Sequence, residues 1–287
     1  MAARGEGRDR ITGDTVDGAA PVAPTFEVRH GDFGARLVMD GALQSQVDLD
    51  DPTILFLEYM QYFALVIDAL PAGPLGVTHV GGSAMAMARY VQATRPGSPQ
   101  IVLEPHVAMT EAVRAELPLP RGHRIRVRPQ TGEVGVPMLK DASADVVIVD
   151  AFAGGLVVPG VTTREFVDEV RRVLKPGGIA LWNAPDAPDR RYLARVARTV
   201  ADAGFTELGI IAHKHGWSGK RFANYVIVGG TGGLDIAAIR RKVAAVPLPT
   251  MCRFGAEIAG LVRSAQPLTE ADPQASPEFP DVPGWRH

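Results

Sequence analysis

The stretch Gly76-Val-Thr-His-Val-Gly-Gly-Ser-Ala-Met-Ala-Met-Ala-Arg-Tyr-Val91 constrains the fold more than any other part of the chain. A β-type run, Val77 to Val80, meets a turn of small residues, Gly81, Gly82 and Ser83, and helix formers without proline follow. The segment therefore reads as strand, loop, helix. A nucleotide-binding α/β domain usually begins this way, because glycines let the backbone approach a ligand and the free N–H groups of the new helix favour polar or anionic groups. The same turn also serves plain strand-to-helix packing, so a second feature is needed. It is Gln100-Ile-Val-Leu-Glu104, a short buried-type strand ending in a carboxylate. That acid stands about twenty residues past the glycines, where it can accept hydrogen bonds from a ribose diol.

The most hydrophobic strand of the sequence is Val146-Val-Ile-Val-Asp150, a continuous β-branched run of the kind that a parallel sheet covered on both faces requires. Its last residue is an acid at the C-terminal end of the strand, where open α/β sheets place their ligands. Asp150 is thus the foremost catalytic candidate.

Around these strands the chain divides by composition and period. Residues 1–24, rich in Gly, Pro, Ala and Thr, read as a disordered tail. Residues 25–50 alternate with a two-residue period around Gly31-Asp-Phe-Gly34 and Asp40-Gly41, which predicts three short antiparallel strands. An α/β domain follows over 51–230. It opens with an apolar helix that begins at Asp51-Pro-Thr and runs to Leu70, a surface suited to a homodimer contact. Thr162-Thr-Arg-Glu165 resembles a helix cap, and Phe166, Val170 and Val173 follow at helical spacing up to Lys175-Pro-Gly-Gly178. Residues 205–212 and 225–228 read as an antiparallel pair that closes the sheet. Two short helices are expected over 231–265, and the Pro-rich end, 266–287, reads as a flexible tail.

Charge and cysteine usage exclude several classes. The 30 basic and 32 acidic residues leave a net charge of −2, which predicts no basic face for nucleic acid and nothing polybasic for a membrane. The apolar segment 54–70 is interrupted by Glu58, Gln61 and Asp68 and is too short to span a bilayer comfortably. A single cysteine, Cys252, excludes an intramolecular disulfide and a Cys-cluster metal site and suits a reducing, cytoplasmic setting. His213-Lys-His215 offers two imidazoles without a third ligand nearby, so no metal is expected.

The order of these features resembles the class I S-adenosylmethionine-dependent transferases. The glycine loop at Gly81-Gly82, the strand-end acids Glu104 and Asp150, and the Leu174-Lys-Pro-Gly-Gly-Ile179 turn carry the likeness. More narrowly, the chain resembles the polyamine aminopropyltransferases, the spermidine synthase family. Leu37-Val-Met-Asp-Gly-Ala-Leu-Gln44 is similar to that family's Leu-Asp-Gly-x-x-Gln hairpin, and Val149-Asp150 with Thr163-Arg-Glu-Phe166 is similar to its catalytic strand and next helix. The resemblance implies an α/β fold with a Rossmann-like class I methyltransferase sheet. That sheet would be mostly parallel with an antiparallel closing strand, preceded by a small N-terminal antiparallel β appendage.

It also implies a site. Gln44 would reach the nucleoside, Gly81 and Gly82 would line the sulfonium end, Glu104 would hold the ribose, and Gln130 would accept from the adenine amino group. Asp150 would face a small-molecule amine acceptor, and Glu58 and Tyr59 would approach the pocket. Trp217, Arg221, Asn224 and Tyr225 fall where relatives close it. The co-substrate would be S-adenosylmethionine or its decarboxylated form. Three places depart from the family's pattern, the first being Pro129-Gln130-Thr131 where the family usually has Gly-Asp-Ala, with Gln130 in the aspartate's place. The glycine loop has Ala84 where the family carries an aspartate for the aminopropyl ammonium, and Asp150-Ala-Phe-Ala-Gly154 lacks the second acid that binds the diamine. Three readings therefore stand: an aminopropyltransferase with an altered amine, a methyltransferase, and a catalytically idle nucleoside-binding relative.

Overall fold

Two-residue alternation at the start of the chain is realised as three antiparallel strands, β1 (Phe26–Gly31), β2 (Gly34–Met39) and β3 (Ala42–Val47), in a computed structural model that describes residues 25–280. The tails expected at 1–24 and over 281–287 lie outside the described residues. Asp40 and Gly41 both take positive φ, 49° and 78°, the backbone that a tight hairpin between right-twisted strands demands.

The apolar helix α1 (Glu58–Ile67) begins later than its sequence suggests. The Asp48 carboxylate accepts from the N–H groups of Asp50 and Asp51, the Asp51 carboxylate accepts from Thr53 N–H, and Leu55 bridges back to Val47. These local bonds outcompete helix over residues 48–55. The apolar side chains of α1 are also spent at home: Tyr62, Phe63, Val66 and Ile67 are buried within the chain's own core, not laid open as a dimer contact.

From there strands and helices alternate. In chain order they are β4 (Val77–Val80), α2 (Ala86–Thr94), β5 (Gln100–Leu103), α3 (Val107–Glu116), β6 (Ile125–Arg128), the single turn α4 (Gly132–Gly135) and β7 (Ala144–Val149). A two-residue ladder of β8 (Phe152–Ala153) and β9 (Leu156–Val157) follows, then α5 (Arg164–Val173), β10 (Leu174–Asp186), α6 (Arg191–Asp202), β11 (Glu207–His213), the short α7 (Lys214–Trp217) and β12 (Ala223–Gly230). The described chain ends with α8 (Ile236–Ala245), β13 (Thr250–Phe254) and α9 (Ala259–Arg263).

The main sheet has eight strands in the order β13-β11-β12-β10-β7-β4-β5-β6. Strands β10, β7, β4, β5 and β6 run parallel to one another, and β12 enters antiparallel between β10 and β11. The expected closing pair is present, but it does not end the sheet. Residues 250–254, within a region expected to be only helical, add β13 antiparallel to β11.

Continuous β-branching in β7 has the predicted consequence. Val146 and Ile148 face the core under α1, α2 and α3, while Val147 and Val149 face the core under α5 and α6, all four at 2% exposure or less. Helix α5 is capped as read, with the Thr163 hydroxyl accepting from Phe166 N–H. Residues 266–280 contain no helix or strand, yet they are held down, in contrast to the flexible tail expected there. Leu268 is fully buried, Arg195 of α6 donates to Gln274 and pairs with Asp272, and the Ser276 hydroxyl accepts from Val157 N–H.

Candidate active site

Chain order creates the site. After β4 the chain winds outward through β5 and β6, then returns to lay β7 on the other side of β4, so the loops leaving β4 and β7 diverge and open a crevice at the strands' C-terminal ends. A cavity of about 530 Å³ lies there, within the range that holds small-molecule ligands. Gly81, Gly82, Glu104 and Asp150 all line it, as does Gln44 on β3. The N-terminal sheet therefore forms one wall of the cavity.

Asp150 follows directly on β7. Its Oδ2 accepts from the Tyr59 hydroxyl at 3.1 Å and its Oδ1 accepts from Asn183 Nδ2 at 3.0 Å. Burial pushes its carboxyl up from an ordinary 3.8 to about 6, against the opposing effect of those two donors. The same burial, with the negative Asp150 beside it, raises the Tyr59 phenol well above its usual value. Because a carboxylate only accepts, the Asn183 amide must turn its NH₂ toward Asp150. That leaves Asn183 Oδ1, buried at the cavity wall, without a partner among the described residues.

Glu104 ends β5 and is 6% exposed. Its Oε2 accepts from the N–H groups of Gly82 and Ser83, both at 3.1 Å, and its Oε1 accepts from His106 N–H at 3.0 Å. The carboxylate thus fastens the glycine loop, and Oε1 keeps capacity for a further donor such as a ribose hydroxyl.

The glycines themselves are required by the protein. Gly81 has φ of +95°, and a Cβ there would overlap the carbonyl oxygen of Asp150; at Gly82 a Cβ would stand 2.8 Å from Val102 Cγ1. Ser83 and Met85 also take positive φ, 43° and 60°, so the loop is strained beside the cavity. Arg89 of α2, 3% exposed, ties this loop to the end of α3 by donating to the carbonyls of Ala84, Leu117 and Pro118.

The remaining candidates divide. Gln130 does not line the cavity, although Thr131, Gly132 and Glu133 do; its Nε2 donates to Met138 Sδ at 3.0 Å and its Oε1 has no partner among the described residues. Tyr59 and Asn224 reach the cavity, whereas Glu58, Arg221, Trp217 and Tyr225 do not. Trp217 and Tyr225 pack edge to face at 6.1 Å, and Arg253 lies over the Trp217 ring. His213 uses Nδ1 to accept from His215 N–H, capping α7. Among the described residues no group of three or more His, Cys, Asp or Glu could hold a metal ion, and no helix is long and apolar enough to cross a membrane. Sequence reasoning missed Asn183 and Arg89. Asn183 lies inside β10, one residue past Trp182, which pairs with Val149 of β7, so strand register places it beside Asp150 and no local signal marks it.

Comparisons with known proteins bear on the fold. No protein-family model matches the chain. A polyamine aminopropyltransferase of Chromobacterium violaceum is 28% identical over 185 residues, which is 63% of this chain and 69% of that protein. The solved structure of a probable spermidine synthase from Corynebacterium glutamicum superposes with a TM-score of 0.78 at 26% identity, covering 86% of this chain and 94% of that one. A spermidine synthase in complex with the transition-state analogue AdoDATO shares the fold at a TM-score of 0.55 and 19% identity, covering 78% of this chain and 75% of that one. Sequence and fold together make the chain a relative of the polyamine aminopropyltransferases, the spermidine synthase family, built on the class I methyltransferase-like fold.

Proposed function

We propose that this chain is a transferase that moves an aminopropyl group from a decarboxylated S-adenosylmethionine-type sulfonium nucleoside to a small-molecule amine, with Asp150 as the base. One observation carries the reading: a recessed Asp150 shares a single cavity with Gly81, Gly82 and Glu104. The likeness to a fold solved with AdoDATO supports the choice of donor.

A free alkylamine is almost wholly protonated at neutral pH, with a pKa near about 10, and its lone pair must be freed before it can attack carbon. Asp150, with a pKa lifted to about 6, is ionised at neutral pH and is a stronger base than an exposed aspartate. Its charge draws the ammonium in, orients it and accepts the proton. Tyr59 holds one carboxylate oxygen and the Asn183 amide holds the other. The nitrogen–carbon bond forms as the carbon–sulfur bond breaks, and a neutral thioether nucleoside leaves. In the same reading Gln44 and Glu104 hold the nucleoside, Gln130 meets the adenine edge after a shift of its loop, and the protein works as a cytoplasmic homodimer.

A second reading, methyl transfer from S-adenosylmethionine, draws on the acid inventory. The acids lining the cavity are Glu104, Glu133 and Asp150. Three backbone N–H groups already engage Glu104, Ala84 is fully buried, and Ala153 lines the cavity. Each charge-assisted contact missing for a second ammonium costs about 1.5–3 kcal/mol of binding, so an ordinary diamine is a poor acceptor and a donor without a free aminopropyl tail is admissible.

Thermal shift with S-adenosylmethionine, its decarboxylated form and methylthioadenosine separates the readings, since a ligand of the native state raises the midpoint. The decarboxylated donor is expected to give the largest rise. Incubation with that donor and a panel of amines, read by mass spectrometry, should show a product that gains an aminopropyl unit and disappears with Asp150→Asn. A methylated product would select the second reading, and no shift with any of the three nucleosides would remove both.

A further inference from the structure

The molecule carries a second hollow, of about 550 Å³, at the opposite, N-terminal ends of β4, β5, β6 and β7. Its charge is one-sided. Arg124, Arg126 and Arg128 line it together with His123, and no Asp or Glu does. Alternation explains the grouping: Ile125 and Val127 of β6 turn into the core, so the three arginines rise from the other face of the sheet. Arg124 donates to the Gly97 carbonyl, whereas the guanidinium groups of Arg126 and Arg128 make no hydrogen bond or ion pair with any described residue. The nearby Asp145 is engaged by Lys175 at 2.8 Å and by Gly76 N–H at 2.6 Å.

The hollow exists because the crossover from β6 to β7 carries only the single turn α4, which packs on Leu103 at the far end of the sheet. Among the described residues no helix therefore lines the N-terminal half of this face. A row of charges on an edge strand also discourages pairing with another chain, but that purpose needs no concave, acid-free floor beneath the guanidinium groups.

We infer that this hollow is a binding site for a small oligophosphate anion, separate from the transferase cavity. Alternate residues on a strand stand about 6.7 Å apart, so the forks of Arg126 and Arg128 can converge on neighbouring phosphates, each in a bidentate pair. His123 Nδ1 accepts from Ile125 N–H at 3.1 Å, which leaves its Nε2–H as a further donor. The near-neutral total charge hides this patch, because field in a concave pocket depends on its own lining.

Calorimetric titration of the full chain at low ionic strength with inorganic tripolyphosphate, and separately with ATP free of metal, tests the site. Binding at one site per chain is expected, weakening with added salt and falling about tenfold or more in Arg126→Gln/Arg128→Gln. Methylthioadenosine binding by the same variant should be unchanged, which controls for folding. Tripolyphosphate as effective as ATP identifies the phosphate chain as the ligand; ATP alone identifies a nucleotide. The inference is overturned if neither anion binds at millimolar concentration, or if the double variant binds them as the parent does. It also fails if the variant merely self-associates, as loss of an edge guard would cause, or if only a single-stranded oligonucleotide is retained.

Discussion

Replacing Asp150 by Asn should stabilise the fold while abolishing transfer. The carboxyl is lifted from 3.8 to about 6 by burial. A native pKa above the unfolded one means that the folded state holds the proton more tightly, so this group favours folding least at high pH. Its penalty is absent below about pH 4, grows as pH rises through the window from 3.8 to about 6, and is constant above it. At about 1.4 kcal/mol per pKa unit, the ionised side chain costs the fold roughly 2–3 kcal/mol near neutrality, after discounting for its partial contact with solvent. The amide that replaces it fits the same space. Its carbonyl accepts from Asn183 Nδ2 as Asp150 Oδ1 does, and its NH₂ donates to the Tyr59 hydroxyl oxygen, so both partners are kept. For a chain of this size the gain corresponds to a rise in Tm of about 3–5 °C. Calorimetric unfolding of the parent and Asp150→Asn, near neutral pH and again at about pH 4, measures it. The rise should shrink towards zero at the lower pH. A variant less stable than the parent near neutrality, or an equal gain at both pH values, would refute the assignment of Asp150 as a desolvated, ionised carboxylate.

Three further outcomes follow from the same contacts. Tyr59→Phe removes a donor that lowers the Asp150 pKa, so the acidic limb of the transfer rate should move to higher pH while donor KM holds; an unmoved limb counts against the contact. Gly81→Ala joins a strained φ to an overlap with the Asp150 carbonyl and should cost about 3 kcal/mol or more in urea unfolding, an expectation that an unchanged midpoint contradicts. Glu104→Gln offers one acceptor oxygen where a carboxylate serves three N–H groups. It should lose about 1.5–3 kcal/mol of stability and weaken methylthioadenosine binding about tenfold, and a variant with the parent's affinity and midpoint would show that the loop stands without it.

How much of this was legible in the chain follows from the range of each interaction. Strand and helix periods, the Thr163 cap, the Asp40-Gly41 hairpin and the β-branched run at 146–149 are local signals, and each was realised at its place. Failures came where local preference met a distant partner. The start of α1 gave way to Asp48, Asp51 and a bridge to Val47, and β13 exists only because β11 offers an edge to pair with. Residues 266–280 look loose by composition but lie against β9, α5 and α6 through contacts with residues roughly a hundred positions earlier, such as Val157 and Glu165.

By itself, the sequence determined that strand-end acids and a glycine turn would gather at the C-terminal rim of a parallel sheet, because alternation and chain order alone impose that arrangement. Tertiary structure alone decided which atoms those groups would meet. It brought Tyr59 from 91 positions away and Asn183 from 33 onto the two oxygens of one aspartate, and lifted its pKa by removing water around it. It also turned Glu104 toward the glycine loop and left Gln130 outside the cavity. Desolvation and hydrogen-bond satisfaction depend on everything packed around an atom, and that surrounding is assembled from the whole chain.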